Sequence, residues 1–315
     1  MVDRGREAER PTEIPRKGWR DIVVRAYREA GADQLPLMAA GVAFYAMLGL
    51  FPGLIALATL YGLVADPGQI QAQLQSFASA LPPAASALVI DQLRQAISSA
   101  ESKLTAGLVL SLLGVLWSAS GGVGGLITGI NVAYDEDETR GFLARRGLAL
   151  LLTVGAIVFM ILVVALLAVL PVVLDGVGLG SLAQTALAVG RWPLLAALVM
   201  AGLAVLYRYA PDRDPARLSW VSPGAVLATV LWLAGSGALV LYVQNFGRYD
   251  QIYRAIGGVI VLLLWLFLSA FAVLLGAELN AEAERQTRRD STVGPAEPLG
   301  QRGAYAADTV GESTS

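Results

Sequence analysis

Leu116-Trp-Ser-Ala-Ser-Gly-Gly-Val-Gly-Gly125 lies at the centre of a run, Thr105 to Val132, that no charged residue interrupts. As a helix, that run is long enough to cross a hydrocarbon core of roughly 30 Å. Gly121, Gly125 and Gly129 fall four apart and share one face, while Gly114, Ser118 and Gly122 share a neighbouring one. In lipid, helices associate where small residues let two backbones approach. The stretch therefore predicts a central membrane helix against which the others pack.

Composition agrees. The 315 residues are 56% hydrophobic and only 15% charged, with a mean hydropathy of +0.60. These values describe a polytopic, all-α membrane protein rather than a soluble core. Cys and His are both absent. Their absence removes disulfides, His/Cys zinc sites, haem ligation through either residue, and catalysis by imidazole or thiolate. A net charge of −2 implies no nucleic-acid partner. The first 36 residues are charge-rich and carry no apolar signal-peptide core, so the first membrane helix is expected to act as the targeting signal.

Working outward along the chain, residues 1–15 read as a polar, disordered arm. From Arg16 to Ala30 the residues Trp19, Ile22, Val23, Ala26, Tyr27 and Ala30 repeat at helical spacing, with Arg16, Lys17, Arg20, Arg25 and Arg28 opposite. Such a helix lies along a membrane surface or packs beneath the membrane helices. A membrane domain is expected over 16–282, with six spans at about 37–65, 105–132, 147–174, 194–210, 221–243 and 256–280. Pro52-Gly53 in the first span predicts a kink, because Pro52 cannot bond the carbonyl of Leu48. The 66–104 loop reads as two short surface helices interrupted by Pro82-Pro83, and residues 175–191 resist placement. Residues 283–315 read as a disordered polar tail.

Six spans divide the basic residues unevenly. The N-terminal arm, the 133–146 loop, the Arg208–Arg217 region and the tail hold 18 of the 23 Lys and Arg residues. By the positive-inside rule, both termini are expected on the cytoplasmic side of a bacterial inner membrane.

Few residues in the spans suggest chemistry. The spans are almost free of ionisable residues, and the candidate they offer is Glu278, at the cytoplasmic end of the last span. It reads either as a gate or substrate contact paired with Arg140 or Arg208, or as an interfacial anchor in contact with water. The run Asp135 to Glu138 offers hard oxygen ligands, but consecutive acids do not share a helical face, and a solvated turn accounts for them. Tyr242, Phe246, Tyr249 and Tyr253 read as an aromatic belt. Ser118, Ser120, Thr128 and Asn131 give the central helix some polarity. Candidate pathway or packing residues are thus Pro52, Gly53, Trp117, Ser118, Gly121, Gly125, Gly129, Asn131 and Glu278. No catalytic residue, metal site or cofactor is assigned. Membrane lipids are the expected partners, no substrate is specified, and a homo-oligomer is compatible with the small-residue faces.

Several stretches carry a resemblance. Ala39-Ala-Gly-Val-Ala-Phe-Tyr45 with Leu50-Phe-Pro52, Leu116-Trp-Ser-Ala-Ser-Gly-Gly122, Tyr207-Arg-Tyr-Ala-Pro211, Pro223-Gly-Ala225 with Leu231-Trp232, and Leu274-Leu-Gly-Ala-Glu-Leu-Asn280 resemble the YihY/virulence factor BrkB family of bacterial inner-membrane proteins. The likeness covers about Trp19 to Glu282. It departs at Tyr253-Arg254, where the family usually has Gly after the Tyr. The resemblance implies six spans and an envelope role without fixing a substrate. Two readings stay open: a transporter or flippase-like protein for an amphipathic molecule, or a non-transporting membrane scaffold. Members have also carried a ribonuclease label, for which this sequence offers no His and no basic groove.

Overall fold

The computed structural model describes residues 4–64, 106–164, 166, 181–246 and 251–314. Among these residues the chain is helical, and its β-pairing is a single bridge between Ala216 and Thr292. The helices are α1 (Arg16–Ala32), α2 (Leu35–Val64), α3 (Ala106–Ala133), α4 (Phe142–Val164), α5 (Ser181–Tyr209), α6 (Leu218–Phe246), α7 (Gln251–Glu284) and the short α8 (Tyr305–Asp308). A 3-10 turn at Pro11–Glu13 precedes them. Four segments, Phe142–Val163, Val189–Tyr209, Leu218–Val243 and Gly257–Glu284, are long and apolar enough to cross a membrane, and Leu35–Gly49 is a shorter apolar helix. The two helices expected over 66–104 lie outside the described residues.

Helix ends differ from the apolar runs for identifiable reasons. α4 starts at Phe142, because Arg145 and Arg146 sit in its first turns. Charge ends a hydropathy window without ending a backbone ladder. α5 starts at Ser181 and runs through Pro193; proline costs one bond of the ladder, and the apolar stretch begins only at Val189. α2 likewise continues helical through Pro52 and Gly53. α1 ends where Gln34 takes a left-handed conformation, φ 54°, and Pro36 then sits in the first turn of α2.

One compact unit comprises Ala40–Gly125 and Ala234–Leu268. In it α2 and α3 cross at small residues. A Cβ on Gly49 would lie 3.0 Å from the Ala119 Cα, and one on Gly122 would lie 3.1 Å from the Ala46 Cα. Gly125 faces Val42, 3.3 Å from its Cγ2, whereas Gly121 faces open space. The close face is therefore Gly122 and Gly125 rather than Gly121 and Gly125. Trp117 is 47% exposed and Ser118 is also exposed.

The second unit comprises Met1–Ala39, Leu126–Leu233 and Ser269–Ser315. Here α6 and α7 touch backbone to backbone: a Cβ at Gly224 would overlap the Gly276 carbonyl, and one at Gly276 would overlap the Tyr207 hydroxyl. Gly129 of α3 meets Leu274 of α7, and Gly202 of α5 meets the Phe159 ring of α4 at 3.4 Å.

The terminal segments differ from expectation. Residues 4–15 and 285–314 pack on one another and on α1, in place of disordered arms. Arg6 reaches the carbonyls of Arg285, Gln286 and Gly311, while Gln286 Nε2 donates to the Arg4 carbonyl at 2.7 Å. Arg302, 5% exposed, donates to the carbonyls of Arg288, Arg289, Glu297 and Ala307. Composition predicts disorder from the scarcity of apolar side chains, but here polar side chains saturate backbone carbonyls instead. α1 is also rotated from its expected pose. Ile22, Ala26 and Ala30 are buried together with Arg25, and Val23 and Tyr27 face outward.

The contrast between two adjacent glycines can be measured. Gly122→Leu should destabilise the detergent-solubilised protein by about 1–3 kcal/mol, the usual cost of overpacking. Gly121→Leu should melt with the wild type. Equal melting temperatures for the two variants would contradict the α2–α3 crossing.

Candidate functional site

The polar end of the second unit gathers the termini and the loops after α3 and α5. It begins with a helix end. Asp135 is left-handed, φ 55°, and the amide of Glu136 bonds the Asn131 carbonyl while that of Asp135 bonds the Val132 carbonyl, at 2.9 Å each. This is a Schellman termination with Asp in the place usually taken by Gly. It directs the acidic run away from α3 into the loop.

Asn131, 3% exposed, then joins two loops. Its Nδ2 donates to Glu138 at 3.0 Å, and its Oδ1 accepts from the Asp212 amide at 2.8 Å. Glu138 accepts twice from Arg140, at 2.6 and 2.8 Å. Asp212 accepts from the amide and hydroxyl of Thr139, both at 2.6 Å. Bonds from Arg140 hold Glu138 below the usual carboxylate range. For Asp212, burial opposes ionisation, but the Thr139 bonds and Arg140 prevail and lower it.

A second pair lies deeper. Arg213 and Glu284 meet at 2.8 Å with side chains 1% and 0% exposed. The Arg213 guanidinium sits 5.0 Å above the ring of Tyr134, and Ser291 Oγ donates to Glu284 at 2.5 Å. Burial works against the Arg213 charge, yet Glu284 holds it above its ordinary value. Removing one member of such a pair strands the other, at about 3–5 kcal/mol. A third centre is Arg25, 6% exposed, which bonds the Glu282 carboxylate and donates to Gln286 Oε1 at 3.0 Å and to the Glu312 carbonyl at 2.8 Å. Arg285 reaches Glu282 at 2.6 Å and Asp135 at 3.7 Å. Three acids of the loop are thus engaged, Asp135 by Arg285, Glu136 by the Tyr305 amide and Glu138 by Arg140, while Asp137 is exposed as a solvated turn predicts.

Glu278 is 2% exposed, and its Oε2 has no hydrogen-bond partner. It is therefore not an anchor in contact with water. Arg140 is taken by Glu138 and Asp212, so the expected Glu278–Arg140 pair does not form. Its helix neighbours carry the close packing: Asn280 Oδ1 accepts from the Gly224 amide at 2.7 Å, Asn280 Nδ2 donates to the Val221 carbonyl at 3.2 Å, and Tyr207 donates to the Val273 carbonyl at 2.8 Å. Three separated motifs, around Tyr207, Pro223-Gly-Ala225 and Gly276 to Asn280, meet here. The sequence reading passed over Gly224, Gly276 and Asn280 as site residues. Their signal was polar or small residues inside apolar runs. Gly129 joins this unit; Ser118, Gly121 and Gly125 do not. The side chains at Pro52 and Gly53 are not among those described.

Among the described residues of the first unit, α6 and α7 line an open, apolar groove of about 540 Å³. Leu239, Val240 and Val243 of α6 and Val261 and Leu262 of α7 line it. On its wall Trp265 Nε1 donates to Ser236 Oγ at 3.1 Å. Among the described residues no group of three or more His, Cys, Asp or Glu is placed to hold a metal ion.

Glu136 supplies a pH handle. Burial raises its carboxyl to about 7, against the pull of the Tyr305 amide, which donates to it at 2.8 Å. The folded value exceeds the ordinary 4.5, so the folded state holds this proton more tightly. The associated stability is complete below the unfolded value and is lost as pH rises through about 7. Glu136→Gln should therefore gain melting temperature relative to wild type between pH 5 and 8. A parallel pH dependence in both proteins would refute this.

The chain matches the family described as Virulence factor BrkB over residues 26–299. It is 34% identical over 248 residues to a Bacillus subtilis (strain 168) protein with a ribonuclease-like name, YfkH, covering 77% of this chain and 87% of that one. A UPF0761 membrane protein of Tolumonas auensis is 36% identical over 84 residues, 27% of this chain and 28% of its own. One from Xanthomonas campestris pv. campestris (strain B100) is 39% identical over 77 residues, 24% of this chain and 18% of its own. No solved structure matches.

Proposed function

The chain belongs to the Virulence factor BrkB family of membrane proteins, and on that premise we propose that it is a six-span, flippase-like transporter of the bacterial cytoplasmic membrane. Its substrate is an amphipathic, lipid-like molecule, and the chain is not an enzyme. The observation that carries this reading is the α6–α7 groove. At about 540 Å³ it falls in the size range of small-molecule sites. Its walls are aliphatic, which suits an acyl chain, and one hydrogen-bonded Trp265–Ser236 pair interrupts them.

Orientation follows from charge. The four segments holding 18 of the 23 basic residues all belong to the unit made of Met1–Ala39, Leu126–Leu233 and Ser269–Ser315. Contacts between Asp212 and Thr139, Glu136 and Tyr305, and Arg25 and Glu282 join them. This supports one shared side for both termini, and the positive-inside rule makes that side cytoplasmic. Reporter fusions after Glu138 and Asp214 should read inside, and those after Ser86 and Gln251 outside. An inside signal at Ser86 removes the six-span arrangement.

One observation favours the second reading, a non-transporting scaffold. The α2–α3 crossing is closed at Gly49 and Gly122, with no room for a substrate between those backbones. The two readings separate in reconstituted vesicles carrying a fluorescent phospholipid. Under the transport reading, the wild type exchanges the lipid between leaflets faster than protein-free vesicles. Gly258→Trp fills the groove and should abolish the excess rate without lowering the melting temperature, since Gly258 has open space around it. A wild type indistinguishable from empty vesicles favours the scaffold. The ribonuclease-like name of the Bacillus subtilis relative adds no activity here, because the chain has no His and its polar end spends its carboxylates on arginines.

A further inference from the structure

α1 buries one side and leaves the other with nothing on it. At about 100° per residue, Gly18, Asp21, Ile22, Arg25, Ala26 and Ala30 form the buried side. The exposed residues Arg16, Lys17, Arg20, Val23, Tyr27 and Arg28 fall together in the remaining arc. Tyr27 is 80% exposed and Val23 is 54% exposed, more than a solvated helix requires of an aromatic and a β-branched residue side by side. The four cations make no ion pair and no side-chain hydrogen bond among the described residues, whereas Arg4, Arg25, Arg140, Arg213 and Arg285 each have a carboxylate partner. The two carboxylates of α1 lie off this arc. Asp21 is buried and bound to Arg4 and Thr314, and Glu29 falls on the buried side of the wheel.

We propose that this face of α1 is a docking surface for the anionic phospholipid headgroups of the adjacent leaflet, with Arg16, Lys17, Arg20 and Arg28 taking the phosphates and Tyr27 and Val23 entering the interface. The charge is complementary, since four unpaired cations with no competing carboxylate face a layer of phosphates. The position is also right. Only Asp33 and Gln34 separate α1 from α2, whose Leu37 is already 68% exposed in an apolar helix. Tyr27 precedes Leu35 by eight residues, about 12 Å of helical rise, so it cannot lie far from the level at which the chain enters lipid. An amphipathic ring beside long basic side chains is the composition that headgroup zones accept, with the stems lying along the apolar boundary and the charges reaching water and phosphate. The buried side of α1 meanwhile fixes the helix to the protein through Arg25 and Glu282, so lipid contact is added to a helix already held in place. This surface is independent of whether the chain transports anything.

The test uses the full chain, which has no native Cys, with a single nitroxide on Val23→Cys in lipid nanodiscs. In discs containing phosphatidylglycerol, the label should gain access to lipid-soluble oxygen and lose access to a water-soluble nickel complex. In phosphatidylcholine discs the shift should be lost. It should also be lost in the Arg16→Gln, Lys17→Gln, Arg20→Gln, Arg28→Gln variant, where each removed charge weakens interfacial binding about fivefold. That variant alters only exposed side chains and should keep the wild-type melting temperature. A label that remains water-exposed in phosphatidylglycerol overturns the proposal. So does one shielded equally in both lipids and both charge backgrounds, which would mean a protein or apolar partner. Spin–spin broadening from a second copy of the chain would overturn it as well.

Discussion

Where α6 and α7 cross, the peptide backbones of Gly224 and Gly276 touch, and no side chain of any size fits between them. Hydrocarbon offers no hydrophobic reward for bringing two apolar helices together, so contact has to come from close packing and from polar groups that find partners. This crossing uses both. Asn280 spends both ends of its amide on the first turns of α6, and Tyr207 of α5 closes the gap with a bond to the Val273 carbonyl. Leu274, two residues before Gly276, fills the space left by Gly129 of α3. Three helices, α3, α5 and α6, thereby take their positions from the two turns of α7 between Val273 and Asn280.

The charged end depends on that arrangement. Arg213, eleven residues before Gly224, and Glu284, eight residues after Gly276, close into a fully buried pair. A buried pair of this kind adds little net stability relative to an apolar one, but it tolerates no alternative partner. Its value is in register: it fixes the α5–α6 loop against the end of α7. Asn131 does the same for the α3–α4 loop through an uncharged amide, and Arg25 for the terminal segments. Each segment at this end is therefore held by its own residue, Arg213, Asn131 or Arg25, with its own set of partners.

Much of the architecture was legible in the sequence, because a membrane helix announces itself through an unbroken apolar run. The central stretch, the all-helical class and the gathering of basic segments in one unit all follow from composition and spacing. The details that were not legible share one cause. Hydropathy records where charge stops, and the backbone ladder continues past that point, as at Arg145, Arg146 and Pro193. A four-residue repeat likewise identifies a small face only to within one position. Gly121 and Gly122 differ by 100° of rotation, and the partner helix decides which of them is used. The tail was misread for another reason. Low apolar content predicts disorder when polar side chains bind water, and Arg6 and Arg302 bind carbonyls.

The same comparison bears on the candidate site. Glu278 drew attention as an ionisable residue inside a span, and it remains the buried carboxylate whose Oε2 lacks a partner. Three arginines of the polar end are already committed: Arg25 and Arg285 to Glu282, and Arg213 to Glu284. The neighbouring positions on α7 are occupied by packing, at Gly276, and by backbone bonding, at Asn280. The open groove lies instead on the apolar part of α6 and α7, at Trp265 and Ser236. The two ends of these helices thus have separate tasks. The polar end fixes geometry through bonds between specific side chains, whereas none of the residues lining the apolar groove is charged.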